Sequence, residues 1–205
     1  MIAIDFDNTF VNYADVFLGL AVERRLIDET VGKSKVAVRE HVRGLPDGER
    51  HWRKLQAAAY GPEMWRAQPT NGVQAFFTAC SGHRCQVYVV SHKTMYADQD
   101  DRRFNLRSAA MDWMVSNNFF KPEGLGLDRT HVFFEETRID KLNRVKSLGC
   151  SHLIDDLEET FLEEGVASTI DKILYAPHGS QLDMPGVTRA SNWQEITDYV
   201  FNDVG

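Results

Sequence analysis

The sequence predicts an α/β domain: a mostly parallel sheet flanked by helices, interrupted by a small all-helical insert. Three observations carry that expectation. Short runs rich in Ile, Val, Phe and Tyr alternate with stretches of helical periodicity along most of the chain. The apolar runs are nearly continuous, as in parallel strands covered on both faces. Residues 13–69 break the alternation and show helical patterns alone.

Taken in order, the strand-like runs are Ile2 to Phe6, Gln86 to Val90, His131 to Phe134, His152 to Ile154 and Lys172 to Tyr175. Helical patterns lie between them. Asn71 to Cys80 is stopped by Gly82, and Ile139 to Leu148 is closed by Gly149. Arg103 to Asn117 carries an apolar stripe of Phe104, Ala110, Trp113 and Met114; Glu158 to Glu164 is short; Trp193 to Phe201 is last. The insert reads as helices Ala14 to Ile27, Lys33 to Val42 and Gly48 to Tyr60, with "GLPDG" and "YGP" as breakers and "AQPTNG" as the return. The expected division is therefore a core of residues 1–12 and 70–205 and an insert of residues 13–69. There is no internal repeat or low-complexity tract.

Composition sets the outer bounds. A chain of 205 residues that is 43% hydrophobic suits one compact domain or a core domain with an insert. A net charge of −7 and no basic run argue against a nucleic-acid partner. A small phosphate-bearing substrate is still compatible, if a bound cation and a few Lys or Arg residues reverse the local sign. Cys80, Cys85 and Cys150 form no CxxC pair and read as reduced thiols of a cytoplasmic protein, most simply as small core residues. No apolar run approaches the length of a membrane span, so a soluble, intracellular protein without a membrane partner is expected. The oligomeric state is not legible.

The polar residues that matter fall at strand ends, where open parallel sheets bind ligands. The first run finishes in Asp5, Asp7 and Thr9; the second in Ser91; the fourth in Asp155 and Asp156; Lys141 opens the helix that leads into the fourth. Residues i and i+2 of an extended segment point the same way, so Asp5 and Asp7 can serve one site. Grouped carboxylates ionise together only when a cation neutralises them. An all-oxygen donor set with retained waters suits Mg²⁺. A carboxylate aimed at such a centre suits phosphoryl transfer: one aspartate as nucleophile, another as proton donor and acceptor. Ser91 and Lys141 would hold the phosphoryl oxygens. Plainer readings stand beside these. Asp5 and Asp7 could end an edge strand in a solvated turn, and Asp155 or Asp156 could cap a helix whose first turn holds Glu158 and Glu159. His92 and Lys93 read equally as exposed loop or pocket lining. Arg39, His41, Arg43, Arg53, Trp65 and Arg66 could read a substrate's leaving group, but most read simply as polar face or core of the insert; Trp113, Phe119 and Phe120 read as packing rather than as a binding platform.

The ordered set "DFDNT", "VVS", Lys141 and "LIDD" resembles the haloacid dehalogenase-like (HAD) hydrolase superfamily, and the likeness spans most of the chain outside the insert. The resemblance implies a Rossmann-like core and a helical cap, the place residues 13–69 occupy. It implies a Mg²⁺-dependent phosphatase that hydrolyses a small phosphorylated metabolite through an aspartyl-phosphate. Asp5 would be nucleophile and Mg²⁺ ligand. Asp7 would be the general acid/base, giving its backbone carbonyl to the metal. Thr9 would support the phosphate loop, Ser91 would bind the phosphoryl group, and Lys141 would stabilise the nucleophile and phosphoryl oxygens. Asp156 would ligate the metal directly and Asp155 through water or a second layer, with the reverse split open. The dehalogenase branch lacks the second aspartate, so Asp7 points to phosphate chemistry. Asn8 stands where glycine is frequent, and Asn tolerates the backbone angles required. Lys146, five residues after Lys141, would face another side of the helix.

Two further functions share these residues: a phosphomutase or phosphotransferase, and a non-catalytic phosphate-binding protein that kept the fold. A receiver-like signalling domain also combines an acidic pair, an Asp, a hydroxyl and a Lys on a parallel sheet. It places its acidic pair early and its Lys late, whereas "DD" comes late here.

Overall fold

The fold was analysed in a computed structural model that describes residues 1–32, 34–98, 103–163, 169–179 and 184–202. Lys33 and Glu164, expected at helix ends, lie outside the described residues.

Six strands form one sheet: β1 (Ile2–Ile4), β4 (Val87–His92), β5 (Val132–Glu135), β6 (His152–Asp155), β7 (Asp171–Tyr175) and β8 (Val187–Ala190). Their order is β5-β4-β1-β6-β7-β8, and each pairing is parallel. β2 (Val11–Asn12) and β3 (Gln68–Pro69) form a separate two-stranded sheet. The helices are α1 (Ala14–Glu23), α2 (Lys35–Arg43), α3 (Gly48–Ala59), α4 (Val73–Gly82), α5 (Leu106–Ser116), α6 (Arg138–Ser147), α7 (Glu158–Leu162) and α8 (Trp193–Asn202). This is the α/β, Rossmann-like architecture that the alternating pattern predicts.

The chain order of the strands explains where a site can form. From β1 the sheet grows through β4 to β5 on one side, then through β6, β7 and β8 on the other. The direction of growth therefore reverses at β1. A crevice opens at the carboxyl end of the strand where that reversal occurs. β1 is wholly buried, as a central strand covered on both faces must be. Its register sets Ile4 level with Val89 of β4 and Ile154 of β6.

By contact the residues fall into two compact units. One comprises 1–10, 69–93 and 117–205; the other comprises 11–68 and 94–116. The sheet unit packs Phe10 in stacked contact with Trp193, their ring centroids 5.9 Å apart. A second cluster in the same unit joins Ala3, Val90, Leu142, Val145 and Leu153. The helical unit has its own aromatic core: Phe17 stacks on Trp52 at 4.8 Å, and Tyr13 meets Tyr60 edge-on at 4.9 Å. Burying each such ring stabilises by about 1.5–3 kcal/mol.

Residues 94–116 group with the helices, whereas the alternating pattern assigns them to the core. The Trp113 indole N–H donates to the Ala67 carbonyl at 3.0 Å, fastening α5 within that unit. No helix among the described residues is long and apolar enough to cross a membrane.

Candidate active site

The sheet register brings distant aspartates together. The Asp5 N–H donates to the Ile154 carbonyl at 2.9 Å, carrying the β1–β6 ladder one residue past the strand. Asp5 thus lies beside Asp155, the last residue of β6. Phe6 is fully buried and packs edge-on against Phe134. Because alternate residues of extended chain face opposite ways, that anchor turns Asp5 and Asp7 to the other side. The following turn closes with the Phe10 N–H on the Phe6 carbonyl at 3.1 Å. Asn8 sits in that turn at φ 61°, a left-handed angle that Asn adopts more readily than most residues.

Lys141 reaches the same point from α6. Thr137 caps that helix, its hydroxyl oxygen accepting from the Asp140 N–H. Lys141 lies on the buried face with Leu142 and Val145, while Lys146 is exposed. The Lys141 ammonium donates to Asp5 Oδ1 and to Asp155 Oδ2, each at 2.5 Å. The other oxygen of Asp155 accepts the Leu157 N–H at 2.9 Å, so its carboxylate is held from two directions. All three side chains are almost wholly removed from solvent: Lys141 is 2% exposed, Asp155 1% and Asp5 6%.

A second lysine holds the second aspartate. The Lys93 ammonium donates to both Asp7 oxygens, at 3.0 and 2.8 Å, and lies 5.5 Å from the centroid of the Phe6 ring. Its backbone N–H bonds to the Glu135 carbonyl at 2.9 Å, just past the end of β4. Lys93 is 4% exposed. Of its two sequence readings, the buried one holds.

Ser91 and Thr9 lie on the adjoining backbone. Ser91 lies inside β4 rather than after it, and extending the β1–β4 register sets it level with Phe6. Its hydroxyl is buried and has no hydrogen-bond partner among the described residues. A buried hydroxyl left without a partner costs about 1–3 kcal/mol unless a ligand satisfies it. The fully buried Thr9 donates to Asp156 Oδ1 over a long 3.4 Å.

Electrostatics follow from the inventory. Four carboxylates (Asp5, Asp7, Asp155 and Asp156) face two ammonium groups, Lys93 and Lys141, an excess that one divalent cation would neutralise. Burial pushes the Asp5 carboxyl up to about 7; Lys141 opposes the rise, and the charges of Asp155 and Asp7 add to it. Burial would lower the Lys141 ammonium, but Asp155 and Asp5 more than reverse that and hold it above the usual lysine range. Asp5, Asp155 and Asp156 each offer a carboxylate oxygen, all within 4.8 Å of one another. Three hard oxygen donors grouped in this way fit a divalent cation, with water filling the other positions. The Asp7 carboxylate is engaged by Lys93 instead.

Neither a protein-family model nor a curated protein sequence matches this chain. Solved structures do. Protein Tyrosine Kinase A of Mycobacterium tuberculosis superposes with a TM-score of 0.62 at 13% identity, over 98% of this chain and 97% of that one. A HAD-superfamily hydrolase of subfamily IA from Geobacter sulfurreducens gives 0.56 at 15% identity, over 97% and 95%. This chain has the HAD-superfamily fold. A HAD family hydrolase of Deinococcus radiodurans, solved with phosphate and sodium bound, gives 0.55 at 14% identity over 98% and 94%. At such identities the likeness concerns fold alone.

Within that HAD fold, all the residues the sequence points to (Asp5, Asp7, Thr9, Ser91, Lys141, Asp155 and Asp156) belong to the sheet unit. Lys93 is the addition. The signal for it was its place two residues after Ser91, since a strand extended through His92 brings the next residue to the same rim. Of the insert's cations, Arg43 and Arg53 pair with Glu49, and Arg66 with Glu23 and Glu63.

Proposed function

We propose that this protein is a Mg²⁺-dependent phosphatase of the cytoplasm, hydrolysing a phosphomonoester of a small soluble metabolite through an aspartyl-phosphate on Asp5. The observation that carries the reading is the buried Asp5–Lys141–Asp155 cluster with the unpartnered Ser91 hydroxyl on the neighbouring strand.

Asp5, Asp155 and Asp156 would hold the cation. Bound there, Mg²⁺ supplies positive charge that lets an anionic nucleophile meet an anionic phosphate. Asp5 Oδ attacks phosphorus, and the bond to the leaving oxygen breaks. Lys141 holds the Asp5 carboxylate in place, and its ammonium, with the Ser91 hydroxyl, offers donors to the phosphoryl oxygens. Asp7 gives a proton to the leaving oxygen, then takes one from the water that opens the acyl phosphate. Lys93 positions Asp7 for both transfers. The phosphate-bound HAD hydrolase of Deinococcus radiodurans supports the choice of a phosphoryl ligand.

The test is a broad phosphomonoester panel with Mg²⁺ present, run on the native protein and Asp5→Asn. Phosphate release by the native protein, reduced about 10⁴-fold or more in Asp5→Asn, is expected. Release from no member of the panel, or full activity in Asp5→Asn, contradicts the reading.

A further inference from the structure

The opposite end of β4 holds a feature that phosphate chemistry does not use. α4 ends in a turn of defined geometry. His83 follows the last helical residue, Arg84 adopts φ 53°, and two hydrogen bonds close the end: Arg84 N–H to Ser81 O at 3.1 Å and Cys85 N–H to Cys80 O at 2.7 Å. These are the paired bonds of a Schellman motif, in which the residue three from the helix end and the second residue beyond it are joined by a backbone hydrogen bond and frequently touch through their side chains. Both positions are cysteine here.

The bond sets a bound on their separation. With standard bond lengths, a 2.7 Å contact from carbonyl to N–H keeps the two Cα atoms within roughly 6.6 Å. A disulfide spans Cα atoms about 4.4–6.8 Å apart. Cys150 is a poorer partner. It is buried in the cluster of Ala3, Leu142 and Leu153, and its N–H bonds to the Val145 carbonyl at 3.3 Å. Access is provided from one side. Cys80 and Cys85 line a cavity of about 590 Å³ with Gln86, Leu127 and His131, and Cys85 is the more exposed of the two.

We propose that Cys80 and Cys85 are a peroxide-sensitive thiol pair that closes to a disulfide across the end of α4. The Cys85 thiolate attacks one oxygen of hydrogen peroxide, the O–O bond breaks, and hydroxide leaves to become water. The Cys80 sulfur then attacks the Cys85 sulfenic acid; the S–S bond forms, and the S–OH oxygen leaves as a second water. Two thiols give up two electrons and peroxide takes them. Burial, with the neighbouring Cys85 thiol, holds the Cys80 thiol up to about 12, so the second step quickens as pH rises.

Peptide mapping after peroxide treatment of the whole protein tests this, without reference to the phosphatase reading. Arg84 separates the cysteines, so trypsin leaves them on peptides 67–84 and 85–93. The expected result is loss of two of the three free thiols, with these peptides joined until reduced. In Cys80→Ala, Cys85 should instead accumulate as a sulfenic acid captured by dimedone. A native protein in which Cys85 passes to sulfinic acid while Cys80 stays free, or links to Cys150, overturns the proposal. So does one whose three thiols survive peroxide that oxidises a solvent-exposed control thiol. The native map decides even if Cys80→Ala fails to fold.

Discussion

Two lysines brace two aspartates on one rim of the sheet, and they do so differently. Lys141 is shared between Asp5 and Asp155, and all three side chains are at most 8% exposed. Lys93 grips Asp7 through both carboxylate oxygens, and the Asp7 side chain keeps 18% of its surface in solvent. On the Lys141 side, charge is desolvated and overcompensated by acid, an arrangement that favours a cation. On the Lys93 side, the ammonium meets the Asp7 carboxylate, and water still reaches that carboxylate. The contrast suits the two parts of a phosphoryl transfer: a dry place where the nucleophile attacks and a wetter place where protons are exchanged.

Breaking the Lys141 side should do the most. Lys141→Met leaves Asp5 and Asp155 buried without their shared cation. A loss of about 3–5 kcal/mol in denaturant-measured stability is expected, partly recovered on adding Mg²⁺, together with near-complete loss of turnover. Equal stability with and without Mg²⁺ in that variant would argue against the acids as the metal's holders.

The Lys93 side should yield less. Lys93→Met exposes Asp7 to water that can take over part of the contact, so about 1–3 kcal/mol is expected. Turnover should fall by about 10²-fold or more as Asp7 loses its orientation, with Mg²⁺ affinity unchanged by calorimetry. A large loss of Mg²⁺ affinity would show that the two sides are not separable.

A smaller effect concerns pH. With its carboxyl raised to about 7 in the metal-free protein, Asp5 retains a proton that it would release in the unfolded chain. That proton contributes stability at low pH, and the contribution is lost as pH rises through about 7. Metal binding must expel the proton. Mg²⁺ affinity should therefore rise by up to about tenfold per pH unit below that point and level off above it. An affinity independent of pH between about 5 and 8 would contradict the assignment of Asp5 as ligand.

Much of this rim was legible because a short apolar run followed by polar residues marks a buried strand's end. Ile2–Ile4 leading to Asp5, and His152–Asp155 leading to Asp156, are of this kind. β8 was not legible: Val187, Thr188, Arg189 and Ala190 make an edge strand, buried only at its last residue and lacking a continuous apolar run. Lys93 was half legible. A lysine near a strand end reads as exposed by default, and its pairing with Asp7, 86 residues earlier, is a contact that strand patterning does not show. The grouping of α5 with the helices is likewise tertiary, since its apolar stripe would suit either unit. The cysteine pair shows the same limit. Its spacing matches no motif, and the turn that brings the two residues together appears only in the backbone of residues 80–85.

A covalent bond at Asp5 is the centre of the proposed chemistry. The direct measurement is to mix the protein with Mg²⁺ and a phosphomonoester it hydrolyses, quench in acid, reduce with borohydride and map the peptides. Conversion of Asp5 to homoserine, absent when substrate is withheld, is the predicted result. Sustained hydrolysis with Asp5 unmodified, or label on a different aspartate, would contradict it.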